Sequence, residues 1–173
     1  MSNVKDKLTP FEKDFFNKLE IYLDKPIYFY GSILRDDYFP QMSDIDIDIF
    51  TDNEYSLMTK MQHYLHVSKK DFKKVAWIIK DTPTYGYKLK YKNKKEGIDA
   101  EFSIYNEKFK DVILEEHNSK KVLPIHVTIL LFIIKLFYYQ IPILTKKTYI
   151  YLKRLILNGI LGDDAKFLVL NTK

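Results

Sequence analysis

The chain has 173 residues, 46% hydrophobic and 29% charged, which are the proportions of one folded domain and argue against a disordered or low-complexity protein. It has no cysteine, so disulfide staples, thiolate metal sites and cysteine nucleophiles are excluded, and any metal must be held by oxygen or imidazole. A formal charge of +5 suits anionic ligands such as polyphosphates or nucleic acids.

The stretch from Met1 to Phe16 carries charges where a secretory signal would need an apolar centre, so an intracellular, cytoplasmic protein is expected. Thr9-Pro10 followed by Phe11, Phe15, Phe16, Leu19 and Leu23 supplies a capping threonine, a first-turn proline and apolar residues at helical spacing. This predicts an amphipathic helix, closed by Asp24-Lys25-Pro26. Ile27 to Tyr30 reads as a buried strand running into a sharp turn at Gly31-Ser32. From Asp44 to Phe50 the sequence alternates with period two, placing Asp44, Asp46 and Asp48 on one face and three isoleucines on the other.

Glu54 to His66 and Lys69 to Ile79 read as helices or helix–strand connections. Tyr85 to Tyr91, the polar turn Lys92 to Gly97 and Ile98 to Tyr105 read as a β-hairpin. Beyond Asn106 the periodicity is helical: Phe109 to Glu116, Pro124 to Tyr139, and Lys146 to Leu157 with Asn158-Gly159 as C-cap, then a short helix from Asp163-Asp164. Val122 to Leu144 is apolar, but His126, Lys135, Gln140 and Pro142 interrupt it, and a span needs about 20 apolar residues. It reads as a buried helix, and no membrane association is expected. The expected fold is α/β (α+β): a short mixed β-sheet with flanking helices in residues 1–105, then a helical C-terminal part, 106–173, closing the cleft of one compact unit.

Three aspartates on one strand face repel one another and raise each other's pKa unless a cation neutralises them. Mg²⁺ prefers a few carboxylates together with waters and substrate phosphates, so Asp-x-Asp on a strand suits a metal–nucleotide site. Gly31-Ser32, directly after a strand, lets backbone amides and a hydroxyl approach an anion. Each feature has a plainer reading: Asp44 and Asp46 as the polar face of an edge strand, Gly31-Ser32 as an ordinary turn, and Asp99 and Glu101 as an exposed hairpin face.

The stretch GSILRDDYFPQMSDIDIDIF, a Gly-Ser pair with Asp-x-Asp about a dozen residues on, resembles the signature of the DNA polymerase β-like nucleotidyltransferase superfamily, in the form of a minimal single-domain member. The resemblance covers residues 27 to 105. It implies the nucleotidyltransferase fold, Mg²⁺ or Mn²⁺ as cofactor, and transfer of a nucleoside monophosphate from a nucleoside triphosphate such as ATP to an acceptor hydroxyl, with release of pyrophosphate. Asp44 and Asp46 would be catalytic metal ligands. A third acid comes from a later strand in an apolar-acid-apolar context, which assigns Asp99, with Glu101 on the same face as its substitute. Asp48 is given a supporting hydrogen-bond role. Gly31 and Ser32 would grip the triphosphate and Arg35 would add charge, while Ser43 also matches minimal members. Lys135, within LLFIIKLFYY, is similar to a lysine in helical regions of nucleotide-polymerising relatives that reaches the triphosphate, although the acidic motif that often follows is absent. Its plainer reading is a snorkelling side chain.

Lys146, Lys147, Lys153 and Arg154, interleaved with Tyr149 and Tyr151, have the composition of a nucleic-acid-facing helix, or of a solvated helix face. The expected acceptor is a nucleic acid, RNA ahead of DNA. The alternatives are a protein or small-molecule hydroxyl, as in toxin–antitoxin relatives, or a non-catalytic nucleic-acid or protein-binding module of the same fold.

Overall fold

In a computed structural model of the chain, which describes residues 4–79, 82–161 and 167–170, local chemistry sets the first long helix. After a single turn, α1 (Val4–Lys7), the Thr9 hydroxyl accepts the Glu12 N–H, and the Glu12 carboxylate accepts the Thr9 N–H. This capping box, with Pro10 in the first turn, starts α2 (Pro10–Leu23), and Asp24 ends it in the left-handed conformation at φ 55°.

Six strands form one mixed sheet: β1 (Ile27–Tyr30), β2 (Ile45–Thr51), β3 (Phe72–Ile79), β4 (Thr82–Asn93), β5 (Ile98–Asn106) and β6 (Phe167–Leu170), in the order β1-β2-β5-β4-β3-β6. β2 and β5 run parallel and every other neighbouring pair is antiparallel. Ile45, Ile47 and Ile49 share one face with Ala100, Phe102 and Ile104. They pack with Phe16 and Leu19 of α2 and Met61 and Leu65 of α3 (Glu54–Leu65), all fully or almost fully buried. At roughly 1.5–3 kcal/mol for each large apolar side chain removed from water, this layer fixes which way β2 faces.

The other face is crossed by helices. α4 (Lys110–Ser119) sets Ile113 against Phe50, Ile79 and Tyr105. α5 (Ile125–Tyr139) and α6 (Lys146–Leu161) pack on each other through Val127, Leu131, Ile134 and Tyr149, with Tyr138 stacked on Tyr149 at 4.3 Å. A buried ionic contact ties α5 to the loop after β1. The Lys135 ammonium donates to the Asp37 carbonyl (2.7 Å) and to Asp37 Oδ2 (2.8 Å), while Arg35 Nε donates to Asp37 Oδ1 (2.8 Å).

Several expectations are corrected. Of the two readings of Lys69 to Ile79, the structure excludes a continuous helix and gives a helix–strand connection, a short 3-10 turn followed by strand β3. Its apolar residues are buried on both sides of the sheet, which mimics helical spacing. Asn158-Gly159 does not end α6, which runs on to Leu161. The helix expected from Asp163-Asp164 lies outside the described residues, and the C-terminal part is not wholly helical, since β6 returns to pair with β3. Among the described residues no helix is long and apolar enough to cross a membrane.

Because the Asp37 carboxylate is fully buried, removing Lys135 takes away one of its two cations and leaves Arg35 alone to compensate a buried charge. Lys135→Met is expected to lower the unfolding free energy by about 3–5 kcal/mol, read by urea denaturation, and the Asp37→Asn/Lys135→Met double variant should recover part of it. Strict additivity of the two changes would show that the pair does not act as a unit.

Candidate active site

β1 hands the chain to a 3-10 turn, Gly31–Leu34, and its last residue, Tyr30, stands opposite Asp46. Gly31 sits at φ +72°, where a side chain would be strained, and any Cβ there would collide with Asp46 Oδ2. The glycine therefore lets the turn close directly over the carboxylate. Ser32 is buried beside it, and Ser43 is buried just before the acidic strand.

Register then decides which acids meet. Asp46 is matched to Glu101 and, beyond it, Lys90; Asp48 is matched to Ser103, then Lys88, then Lys73. Residues directly opposite share a face. One side of the sheet therefore grades from tyrosines on β1 through acids on β2 and β5 to lysines on β4 and β3. The Asp46 carboxyl is pushed up to about 7, first by burial, then by the charges of Asp44 and Glu101, with Lys153 and Lys88 opposing. Burial acts to raise Glu101 as well, but Lys88 and Lys90 (Lys90 Nζ at 2.9 Å) hold it below the usual carboxylate range.

Asp99 lies further toward the start of β5 and is ion-paired with Lys92 at the surface. Asp48 is wholly buried; His117 Nε2 of α4 stands 2.7 Å from its Oδ2, and Tyr30 stacks on the His117 ring at 4.1 Å. Burial raises the Asp48 carboxyl against the pull of His117. Asp48 thus braces α4 against β2, as a supporting residue would.

A cleft of about 270 Å³ opens over Gly31, Ser32 and Asp46. Its cationic lining comes from Arg35, Lys120 and Lys121 after α4, and Lys153 of α6. Lys120, Lys121 and His117 carried no motif that would single them out in the sequence. Lys153 faces this cleft, and Tyr149 is buried, while Lys146, Lys147, Tyr151 and Arg154 are exposed. The expected single nucleic-acid face on α6 is therefore divided, because two of its six residues, Tyr149 and Lys153, point into the protein. Lys135 is buried behind the cleft rather than snorkelling. Burial lowers its pKa against the opposing pull of Asp37. Burial acts to raise Asp37, yet Arg35 and Lys135 keep that carboxyl below its ordinary value. Arg35 is likewise braced on Asp37 while lining the cleft.

The donor set fits a hard divalent cation. Asp44 and Asp46 repel each other, Glu101 adds a third carboxylate in register, and Mg²⁺ or Mn²⁺ binds through one or two carboxylates completed by water and phosphate oxygens. Among the described residues no group of three or more acids or histidines is placed to hold a metal ion, so the carboxylates here would bind one only with water and phosphate oxygens completing the shell.

The profile of a family described as nucleotidyltransferase domain matches residues 13–154. A comparison with curated proteins gives no match. Among solved structures, the GLD-2/RNP-8 complex is similar at 13% identity and a TM-score of 0.41, covering 92% of this chain and 65% of the other. A STING-associated CdnE c-di-GMP synthase from Capnocytophaga granulosa is similar at 13% identity and a TM-score of 0.36, covering 93% and 54%. The chain spans less than two thirds of either.

A carboxyl whose folded pKa lies near 7 holds its proton more tightly than in the unfolded chain, where about 3.9 is usual. Its contribution to stability is present in full below about pH 4 and is lost as the pH rises through 7. Metal-free protein is expected to lose stability between about pH 4 and pH 7 in urea titrations, and Asp46→Asn should flatten that loss. Parallel profiles for the two proteins would remove the buried-acid account.

Proposed function

Because the chain belongs to the nucleotidyltransferase domain family, we propose that it transfers a nucleoside monophosphate from a nucleoside triphosphate to an acceptor hydroxyl and releases pyrophosphate. The observation that carries this reading is the meeting of Asp46 with Glu101 across the parallel β2–β5 register, with Asp46 lining a cleft that also holds Arg35, Lys120, Lys121 and Lys153. A triphosphate needs a cationic wall for its charge and an acidic one for its counter-ion, and the cleft offers both.

Asp44, Asp46 and Glu101 would hold Mg²⁺ or Mn²⁺, which when bound offsets the charge that builds on the phosphoryl oxygens. Ser32 and the amides of the Gly31–Leu34 turn bind phosphate oxygens, and the four cations of the cleft stabilise the leaving pyrophosphate. The acceptor oxygen bonds to the α-phosphorus as the bond to the pyrophosphate oxygen breaks in line with it. The hydroxyl proton passes to the Asp46–Glu101 carboxylate pair. Glu101 takes the third-acid role here in preference to Asp99, because Glu101 is the β5 acid matched to Asp46, whereas Asp99 lies two residues nearer the start of β5, at the surface. An RNA acceptor remains the reading for the hydroxyl.

Asp46→Asn and Glu101→Gln are each expected to lower transfer by more than about 100-fold, and Asp99→Asn by less than about 10-fold. Ser32→Ala should weaken triphosphate affinity about 10-fold through one lost bond to charge. Transfer of label from each nucleoside triphosphate to an RNA pool measures all four. Parental turnover in Asp46→Asn would refute the centre, and a crippled Asp99→Asn beside an active Glu101→Gln would return the third-acid role to Asp99.

A further inference from the structure

A second groove lies beside the catalytic cleft, on the lysine side of the sheet. β4 extends past its partner: β3 begins at Phe72, opposite Leu89, so Lys90 to Asn93 keep β5 on one flank and have no β3 residue on the other. The end of α3 and the Lys69–Asp71 turn wall off this overhang. The trench so formed measures about 980 Å³, more than three times the cleft over Asp46.

Seven of its fifteen lining residues are lysines and two are acids. Both acids are engaged, Asp71 by the Ser68 N–H at 2.8 Å and Glu101 by Lys88 and Lys90. Lys70, Lys73, Lys94 and Lys95 are exposed. Lys88, Lys90 and Lys92 project from alternate positions of one extended strand, about 6.5 Å apart. That is on the order of the spacing between phosphates along a stretched single strand. The trench is also continuous with the acids, since Glu101 lines it and stands one strand from Asp46.

We propose that this trench binds a single-stranded polynucleotide by its phosphodiester backbone and directs its terminal hydroxyl toward Glu101 and Asp46. The strand's role as acceptor rests on the nucleotidyl-transfer reading, but its binding does not. A phosphodiester chain matches regularly spaced lysines and carries the terminal hydroxyl that the proposed reaction consumes. An acidic protein segment offers charge without that hydroxyl. The contact surface for the strand is thereby β4 and the turn before β3, not α6.

The test is fluorescence anisotropy of labelled single-stranded RNA and DNA oligonucleotides across a salt series. It compares the parent, Lys73→Glu/Lys95→Glu in the trench, and Lys146→Glu/Lys147→Glu at the exposed start of α6. The trench variant is expected to bind at least about 10-fold more weakly, with a log–log salt slope flatter by about 1.4, since each phosphate contact on a single strand contributes roughly 0.7. Lys73→Gln/Lys95→Gln should show a smaller loss in the same direction, the α6 variant should bind as the parent does, and triphosphate binding should be unchanged in all. A preference for RNA would identify the ribose strand as the ligand, and equal binding would assign recognition to the shared backbone. A trench variant that binds like the parent, or a polyglutamate peptide that competes as well as an oligonucleotide, would overturn the proposal. Trench-dependent binding without any nucleotide transfer would sink the catalytic reading and leave the polynucleotide site standing.

Discussion

The parallel pairing of β2 with β5 is the constraint on which the rest of the molecule depends. It is held by Ile45, Ile47 and Ile49 on one strand and Ala100, Phe102 and Ile104 on the other, all buried under α2 and α3. A slip of one residue would turn the isoleucines into the cleft and the aspartates into the core, so apolar packing selects one register. That register sets Asp46 beside Glu101 and leaves Asp99 with Lys92. The electrostatics of the site thus follow from where the hydrocarbon has to go.

Much of this was legible from the residues. The Thr9–Glu12 box, the period-two alternation after Ser43, the turn at Gly31 and the hairpin across Lys92 to Gly97 each have a local physical cause, and local causes survive folding. What could not be read is what depends on two distant segments. Phe72, Val75, Ala76 and Ile79 stand at helical spacing, yet they form a strand, with Phe72 in the core under α2 and α3 and Ile79 in the cluster beneath α4. Asp99 and Glu101 differ by one pleat on the same face, and a single strand carries no information about its neighbour's register. Lys153 sits among four cations of one helix, and only the packing of α6 distinguishes it from Arg154.

Asp37 is the clearest case. In the sequence it is half of an unremarked Asp36-Asp37 pair in a polar loop, and in the structure it is fully buried between Arg35 and Lys135. Lys135 is 98 residues away along the chain. Two cations expected at a triphosphate are thereby engaged inside the protein, one completely and one in part. Arg35 follows the Gly-Ser turn directly, so the same ionic contact links the loop over Asp46 to α5. The helical half and the sheet half cannot move independently without exposing or orphaning that carboxylate.

The outer edge of β3 is closed by β6, whose residues Phe167 to Leu170 pair with Trp77 back to Lys74 across ninety or more residues of sequence. Closing so long a loop costs entropy, and contacts of such separation form late. On a ribosome the order is imposed outright: β3 is made well before β6, and until the last strand emerges its main-chain donors and acceptors face outward. The nascent sheet therefore passes through a stage at which another chain could pair with β3 in place of β6. The four residues of β6 are what withdraw that template.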